Sequence, residues 1–405
     1  MRTSYAALTA LLLAIATNPP ANAADSPGLT PIRVGFVCPL TGGSRDMGNS
    51  ARLGAELAVE EINQFGGYLG RRVELVERDD HADPERGRRA AEDLVVNQKV
   101  AFTVGYCNSG VALKSLDLFQ SHRSVLVVPV ATNSRITSTF RPADSFVFRM
   151  AAGDGLQSHL IVDDLLKRGL TRVAVFADRT DYGEGGLRDV VRLLRERGLQ
   201  PAYVARFDIG VKALVDEMKD ARAAGADAIV SYTVGPEQAV IARARAQAHF
   251  GGPQYGPWPL SWRSVEEAAG PALEGAVTVQ TVIQDPANER TTAFVSGLSR
   301  RAGGEAVGSL MAAAQAYDAV HLMMRAVFQT HGDTSGVALK YALEHLEHPY
   351  HGVITLYDKP FSPDDHDAFS LNMIWLGVWH GGEVQFLHPE DAKRSVVARH
   401  KESTR

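Results

Sequence analysis

The chain has 405 residues, 45% of them hydrophobic and 22% charged, a balance that fits a globular protein of two or three domains and argues against a disordered chain. A formal net charge of -5 gives no sign of a nucleic-acid footprint. Two cysteines, Cys38 and Cys107, are too few for a disulfide scaffold.

Arg2 precedes an apolar run over residues 5–17, which Pro19 and Pro20 break. Ala21-Asn22-Ala23 then supplies an A-x-A cleavage site. This is the plan of a secretory signal peptide over residues 1–23. The run is too short to span a bilayer, which needs roughly 20 apolar residues. Cleavage would leave a mature chain starting near Ala24, outside the cytoplasm. No Cys follows the cleavage site, so a lipoprotein anchor is not expected.

A first strand is predicted over 31–38 and a Gly- and Ser-rich turn over 39–50. A helix over 51–65 follows, with Ser50 as its cap and Gly66-Gly67 at its end. Ala51, Gly54, Ala55 and Ala58 share one face, which suits close packing on a sheet. A second strand covers 73–78; Asp83 caps a helix over 85–97, with Pro84 at its first position.

The stretch 100–137 organises the rest. Two apolar runs, one ending at Tyr106-Cys107-Asn108-Ser109 and one at Pro129-Val130-Ala131-Thr132-Asn133, each lead into a helix start. Such runs suit strands buried on both faces of a parallel sheet. Ligands in open α/β sheets sit beyond the carboxyl ends of the strands, where helix N-termini offer free N–H groups. Ser109, Ala131, Thr132 and Asn133 therefore lie where a small carboxylate could be held. The alternative is that Ser109 and Ser134 are plain helix caps and Pro129 a strand terminator. In a doubly wound half the first strand pairs with the third, about 4.8 Å away, so Cys38 and Cys107 end neighbouring strands. A disulfide or two free thiols at the cleft floor both fit.

The pattern then restarts. Residues 145–150 read as an apolar link, 156–168 as a helix and 172–177 as a strand. A polar loop over 178–186 contains Tyr182. Helices over 187–197, 213–224 and 237–248 alternate with strands over 202–207 and 228–233, and a further strand falls within 273–282. Beyond it come helices over 288–301, 310–329 and 336–346 and strand-like runs over 351–357 and 372–378. These pieces must distribute over two doubly wound halves, so the chain crosses between lobes more than once. The cleft between such lobes is a preferred ligand site.

The sequence resembles the periplasmic substrate-binding proteins of branched-chain amino acid ABC importers, of the type I periplasmic-binding fold. The resemblance rests on Ile32-Arg-Val-Gly-Phe, Pro39-Leu-Thr-Gly42, Gly54-Ala-Glu-Leu-Ala-Val-Glu-Glu-Ile-Asn63 with Gly66-Gly67, Pro129-Val-Ala-Thr-Asn133, Asp181-Tyr-Gly-Glu-Gly185 and Tyr317-Asp-Ala-Val320, in that order. It implies an α/β fold of two doubly wound lobes joined by three crossovers and closing on a ligand like a hinge. The lobes would be 31–148 plus 285–350 and 149–284 plus 351–390, with a tail over 391–405. It implies a carboxylate site at Asn108, Ser109, Ala131 and Thr132, faced by Tyr182 and Tyr232 from the second lobe. The acid that meets a ligand ammonium in amino-acid-binding members aligns with Trp258. That favours an aromatic or uncharged-tail carboxylate over leucine or valine. The implied partners are a small solute and the membrane permease of an ABC importer, with no cofactor, no nucleic acid and a monomeric chain. A sensor domain of the same fold reporting to a signalling partner is the alternative.

An enzyme is not expected, because no nucleophile elbow, P-loop or HExxH motif occurs. Asp364-Asp365-His366-Asp367 reads as a solvated turn in preference to a metal loop, and Asp79, Asp80 and Asp83 as a turn and a cap. His321 reads as a packed histidine. Tyr317 and Asp318 should fix a helix against its lobe.

Overall fold

Five short strands, β1 (Ile32–Cys38), β2 (Val73–Asp79), β3 (Phe102–Gly105), β4 (Leu126–Val128) and β5 (Val147–Arg149), form the first sheet. Their order is β2-β1-β3-β4-β5 and every pairing is parallel. Helices α1 (Arg45–Gln64), α2 (Pro84–Glu92), α3 (Ser109–Ser121) and α4 (Arg135–Ser138) connect them. This computed structural model describes residues 29–304, 306–397 and 399–402, so the segment read as a signal peptide lies outside the described residues. The apolar runs account for the sheet: β1, β3, β4 and β5 are buried almost throughout, as strands covered on both faces must be. Residues 145–150, read as a link, thus supply the fifth strand.

The second sheet repeats the plan. Its elements are α5 (Asp154–Lys167), β6 (Val173–Asp178), α6 (Asp181–Glu196), β7 (Tyr203–Phe207), α7 (Val215–Ala223), β8 (Ala228–Tyr232), α8 (Gly235–Gln247), β9 (Gln254–Gly256), α9 (Arg263–Ala269) and β10 (Val277–Gln280). Next come α10 (Glu289–Arg301), α11 (Leu310–Gln329), α12 (Gly336–Glu344), β11 (Tyr350–His351), β12 (Leu356–Tyr357), β13 (Trp375–His380), β14 (Glu383–Phe386) and α13 (Pro389–Ser395). The parallel part runs β10-β9-β8-β6-β7, the same winding as the first sheet, and antiparallel β13 and β14 extend it. The chain passes between lobes after β5, after β10 and before β13. Among the described residues no helix is long and apolar enough to cross a membrane.

Helix α1 starts at Arg45, well before the expected residue 51, and Ser50 lies inside it with its hydroxyl donated to the Asp46 carbonyl. Its small-residue face meets α11, not a sheet. A Cβ on Gly54 would fall 2.0 Å from the Ala313 carbonyl oxygen, so the two helices touch backbone to backbone.

Residues 350–370 also pack differently from the expected division, which put 351 onward in the second lobe. Buried Asp318 on α11 accepts from the Val353 and Ile354 N–H groups at 2.7 and 3.1 Å and from the Tyr350 and Tyr357 hydroxyls at 3.2 and 3.0 Å. These bonds fold 350–357 into the small β11–β12 hairpin instead of one strand. Phe361 and His366 then pack on Phe148 of β5, and His366 bonds the Val147 carbonyl. In the acidic turn Asp367 pairs with Arg149 and Asp365 with Lys401.

Candidate functional site

In each half the winding reverses beside the first strand, between β1 and β3 and between β6 and β8. Ligands of doubly wound sheets bind outside the carboxyl ends there. Loops of the two lobes meet across the cleft beside these points. Asn133 Nδ2 donates to the Asp181 carbonyl at 2.6 Å and Ser134 Oγ to Asp189 Oδ2 at 2.9 Å. On another rim the Ser264 N–H reaches Asp46 Oδ2 at 3.2 Å and the Arg263 N–H reaches the Gly308 carbonyl at 3.0 Å.

On the first lobe, Cys38, the last residue of β1, and Cys107, two residues beyond the paired strand β3, are joined by a disulfide with 5.2 Å between their Cα atoms. Asn108 is the N-cap residue of α3, and Ser109 its first residue. Asn108 Nδ2 donates to Ser44 Oγ at 3.3 Å, while its buried Oδ1 has no partner among the described residues. Ser109 Oγ accepts the Asn133 N–H at 3.3 Å, which leaves its proton for another acceptor. The Ala131 N–H, expected to face a ligand, is instead donated to the Tyr106 carbonyl at 3.1 Å. The loop must close on β3 before it can present Thr132, and that bond closes it. The Thr132 carbonyl accepts the Asp154 N–H at 2.8 Å.

Arg149, at the end of β5, fixes this loop. Its Nη1 donates to the Thr132 and Asn133 carbonyls, both at 2.9 Å, and its Nε pairs with Asp367 at 2.5 Å. From behind, Gln315 of α11 bonds the Pro129 carbonyl and accepts from the Thr281 hydroxyl at 3.0 Å.

On the second lobe, Tyr182 stands in the first turn of α6, not in a loop. Thr180 caps that helix by accepting the Gly183 N–H. Tyr182 is buried and its hydroxyl has no partner among the described residues. Tyr232, at the end of β8, is wholly buried; its hydroxyl is 3.1 Å from Ser158 Oγ and 3.4 Å from Asp154 Oδ1. The two rings lie 5.4 Å apart, tilted by 54°. Burial pushes both phenols well above their usual pKa. Gly186 makes room: a Cβ there would stand 1.9 Å from the Tyr232 ring.

Trp258 opens a 3-10 turn after β9 and donates its N–H to Gln157 Oε1 at 3.1 Å. Its ring is buried 5.4 Å from that of Trp262, and neither indole N–H has a partner among the described residues. Gly235 lies between Trp262 and the first lobe, since a Cβ on it would be 2.6 Å from the Trp262 ring and 3.4 Å from the Gly43 carbonyl.

Three contributors were not foreseen from the sequence: Arg149, Trp262 and Asp154. Asp154 is fully buried at the start of α5. Burial pushes its carboxyl up to about 7, a rise that Asp189 adds to and that Thr132, Arg149 and Tyr232 only partly oppose. A Gly-Asp pair following a strand is a weak signal that could have drawn attention to it. The loops together offer hydroxyl and indole donors, two phenols and one carboxyl, a set suited to holding a small polar solute. A separate polar cavity of about 690 Å³ lies at the outer rim, lined by Arg45, Asp46, Arg52, Arg263 and Arg301. It contains none of the residues predicted for the site.

A family described as periplasmic binding protein matches residues 31–373. The Leu/Ile/Val-binding protein homolog 2 of Brucella abortus (strain 2308) is 30% identical over 282 residues, 68% of this chain and 72% of its own. The solute binding protein of an R. palustris ABC transporter, solved in complex with benzoate, superposes with a TM-score of 0.75 at 22% identity, covering 88% of this chain and 95% of that one. A branched-chain amino acid transporter substrate binding protein of Streptococcus pneumoniae, solved with isoleucine, gives 0.75 at 21% identity, covering 88% and 98%.

Proposed function

Because the chain belongs to the periplasmic binding protein family, we propose that it captures a small carboxylate-bearing solute between its lobes and delivers it to the membrane permease of an ABC importer. The observation that carries this reading is the group of buried polar atoms that have no partner among the described residues where the loops of the two lobes meet: Asn108 Oδ1, Tyr182 OH and the Trp258 and Trp262 indole N–H groups. Buried polar atoms are normally hydrogen-bonded, so such a group calls for an incoming molecule. The Ser109 hydroxyl and the free N–H groups opening α3 suit its carboxylate, and Tyr182, Tyr232 and Trp258 suit its body. The relatives support the carboxylate, because benzoate and isoleucine both carry one. The family and the leader read in residues 1–23 support a periplasmic address.

The test is a thermal-shift screen over amino acids, amides, urea and aromatic acids. A solute at a hundredfold its Kd stabilises the protein by about 2.7 kcal/mol. A screen in which no carboxylate raises the transition would refute the reading.

A further inference from the structure

Of the acidic turn 364–367, expected to be solvated, only Asp364 is exposed. The rest is built onto the edge of the first sheet. The Arg149 N–H donates to the His366 carbonyl and the Ala368 N–H to the Arg149 carbonyl, both at 2.9 Å. Asp367 is fully engaged there. Its N–H donates to Asp365 Oδ1 at 2.9 Å, its Oδ1 meets Arg149 Nε at 2.5 Å and its Oδ2 accepts the Thr137 hydroxyl at 3.0 Å. Arg149 in turn holds the Thr132 and Asn133 carbonyls. One carboxylate therefore holds the loop after β4 at both ends, through Arg149 at 132–133 and directly at Thr137 of α4.

Asp367 is itself fixed by residues 399–402. Lys401 Nζ has three protons and meets three acceptors: the Pro360 carbonyl at 3.1 Å, Asp365 Oδ2 at 2.6 Å and the Asp367 carbonyl. Its side chain is 11% exposed. Burying an ammonium is costly unless its protons are matched, so this is a fitted site and not a loose surface contact. The flanking residues are tied down as well. The Glu402 N–H donates to Ser370 Oγ and Asn372 Nδ2 to the His400 carbonyl, both at 3.0 Å, and the Arg399 guanidinium lies 4.3 Å above the Trp375 ring.

Resting on the carboxylate-capture reading, we infer that Lys401 is a positioning residue for solute binding. Its ammonium fixes Asp365 and Asp367, Asp367 fixes Arg149, and Arg149 holds the Thr132–Asn133 peptide whose N–H meets Ser109 Oγ. Lys401 does not touch the solute. Without its ammonium, Asp365 Oδ2 and two carbonyls lose a donor, and Asp367 is free to turn away from Arg149. The Arg149 side chain is 5% exposed, so water does not take over that bond. The loop after β4 then samples more conformations, and binding must pay to order it.

The experiment compares the wild type with Lys401→Met, Asp367→Asn and the double variant, well below their melting temperatures. Hydrogen exchange over 130–137, read by mass spectrometry, should be about tenfold faster in Lys401→Met, with 203–207 and 228–232 of the second lobe unchanged. Calorimetry takes the common amino acids, benzoate and 4-hydroxybenzoate as probes. At least one should bind the wild type, and Lys401→Met should bind it about tenfold more weakly. Asp367→Asn should weaken it at least as much, and the double variant no further than Asp367→Asn, because both changes act on one path. If Lys401→Met fails to fold, exchange of the wild type in low guanidinium decides: 130–137 and 399–402 should open together. Unchanged exchange over 130–137, unchanged affinity, or 399–402 opening while 130–137 stays protected would overturn the role of Lys401 and leave carboxylate capture intact. Binding of none of the probes by the wild type would overturn capture itself, and this role with it.

Discussion

Reducing the Cys38–Cys107 bridge should cost the protein about 4 kcal/mol of stability. The bond closes a loop of 69 residues. In the chain-entropy treatment the loss is about 2.1 + 1.5R ln n cal/mol/K, which for this loop comes to roughly 15 cal/mol/K, or about 4.4 kcal/mol at 25 °C. Both cysteines are buried, at or just beyond the ends of paired strands, so reduction leaves the native packing in place and acts chiefly by freeing the unfolded chain. With a guanidinium slope of about 6 kcal/mol/M, the midpoint should fall by roughly 0.7 M. The assay is paired guanidinium titrations with and without dithiothreitol, read by tryptophan fluorescence. Thiol titration of the unfolded, unreduced protein supplies the control. Two reactive thiols in that control, or a midpoint that reduction leaves unmoved, would refute the reasoning.

Ser109→Ala should weaken solute binding by about 1.5 to 3 kcal/mol, the value of a hydrogen bond to a charged group, read as a ten- to hundredfold rise in Kd by calorimetry; an unchanged Kd would remove Ser109 from the site. Gly186→Ala pushes a methyl into the Tyr232 ring, and overpacking of that kind costs about 1 to 3 kcal/mol. It should lower both the melting temperature and the affinity, and a variant that binds normally would show that Tyr232 does not contact the solute. Asp318→Ala strips four donors of one buried acceptor and should cost about 3 to 5 kcal/mol, seen as a large drop in melting temperature. Asp154 makes stability pH-dependent. Its folded pKa of about 7 lies above the 3.8 of an ordinary Asp carboxyl, so the folded state holds a proton that the unfolded chain has released. That stabilisation is complete below pH 3.8 and is lost as pH rises through 7. Relative to Asp154→Asn, the empty wild type should lose melting temperature between pH 4 and 7 and run parallel above about pH 8; parallel curves throughout would contradict the burial argument.

The paired windings of the two sheets were legible because their strands are continuous apolar runs set between helices. What escaped notice were places where tertiary contact overrides local chemistry. Gly42, Gly43 and Gly48 made residues 39–50 look like a turn. Gly48 is nevertheless helical, and it is glycine because a Cβ there would lie 1.8 Å from the Pro39 carbonyl oxygen. Gly183, Gly185 and Gly186 likewise disguised the start of α6. Cβ atoms at these positions would meet Asp178, Asn133 and Tyr232, so the glycines admit neighbours and do not mark a loop. Strands β5, β9 and β14 have three or four residues each, too few for a periodic signal. At the candidate site, the rule about strand ends puts Ser109 and Thr132 just beyond β3 and β4, where the structure has them. Arg149 and Asp154 could not be read in the same way, because burial gives each its role, and a lone Arg or Asp in sequence reads as surface.

The rim contacts have a kinetic consequence. Thr132, Asp154, Tyr182 and Tyr232 each expose 6% or less of their surface, beneath loops bonded across the cleft. A solute reaches them only during the intervals when the lobes are apart. Observed association rates should therefore level off at high solute concentration, at the frequency with which the rims release, instead of rising without limit. The apparent affinity is scaled by the fraction of molecules that are open. Substitutions at Ser134 or Asp46, remote from the captured molecule, would then tune how quickly the receptor loads without altering what it selects.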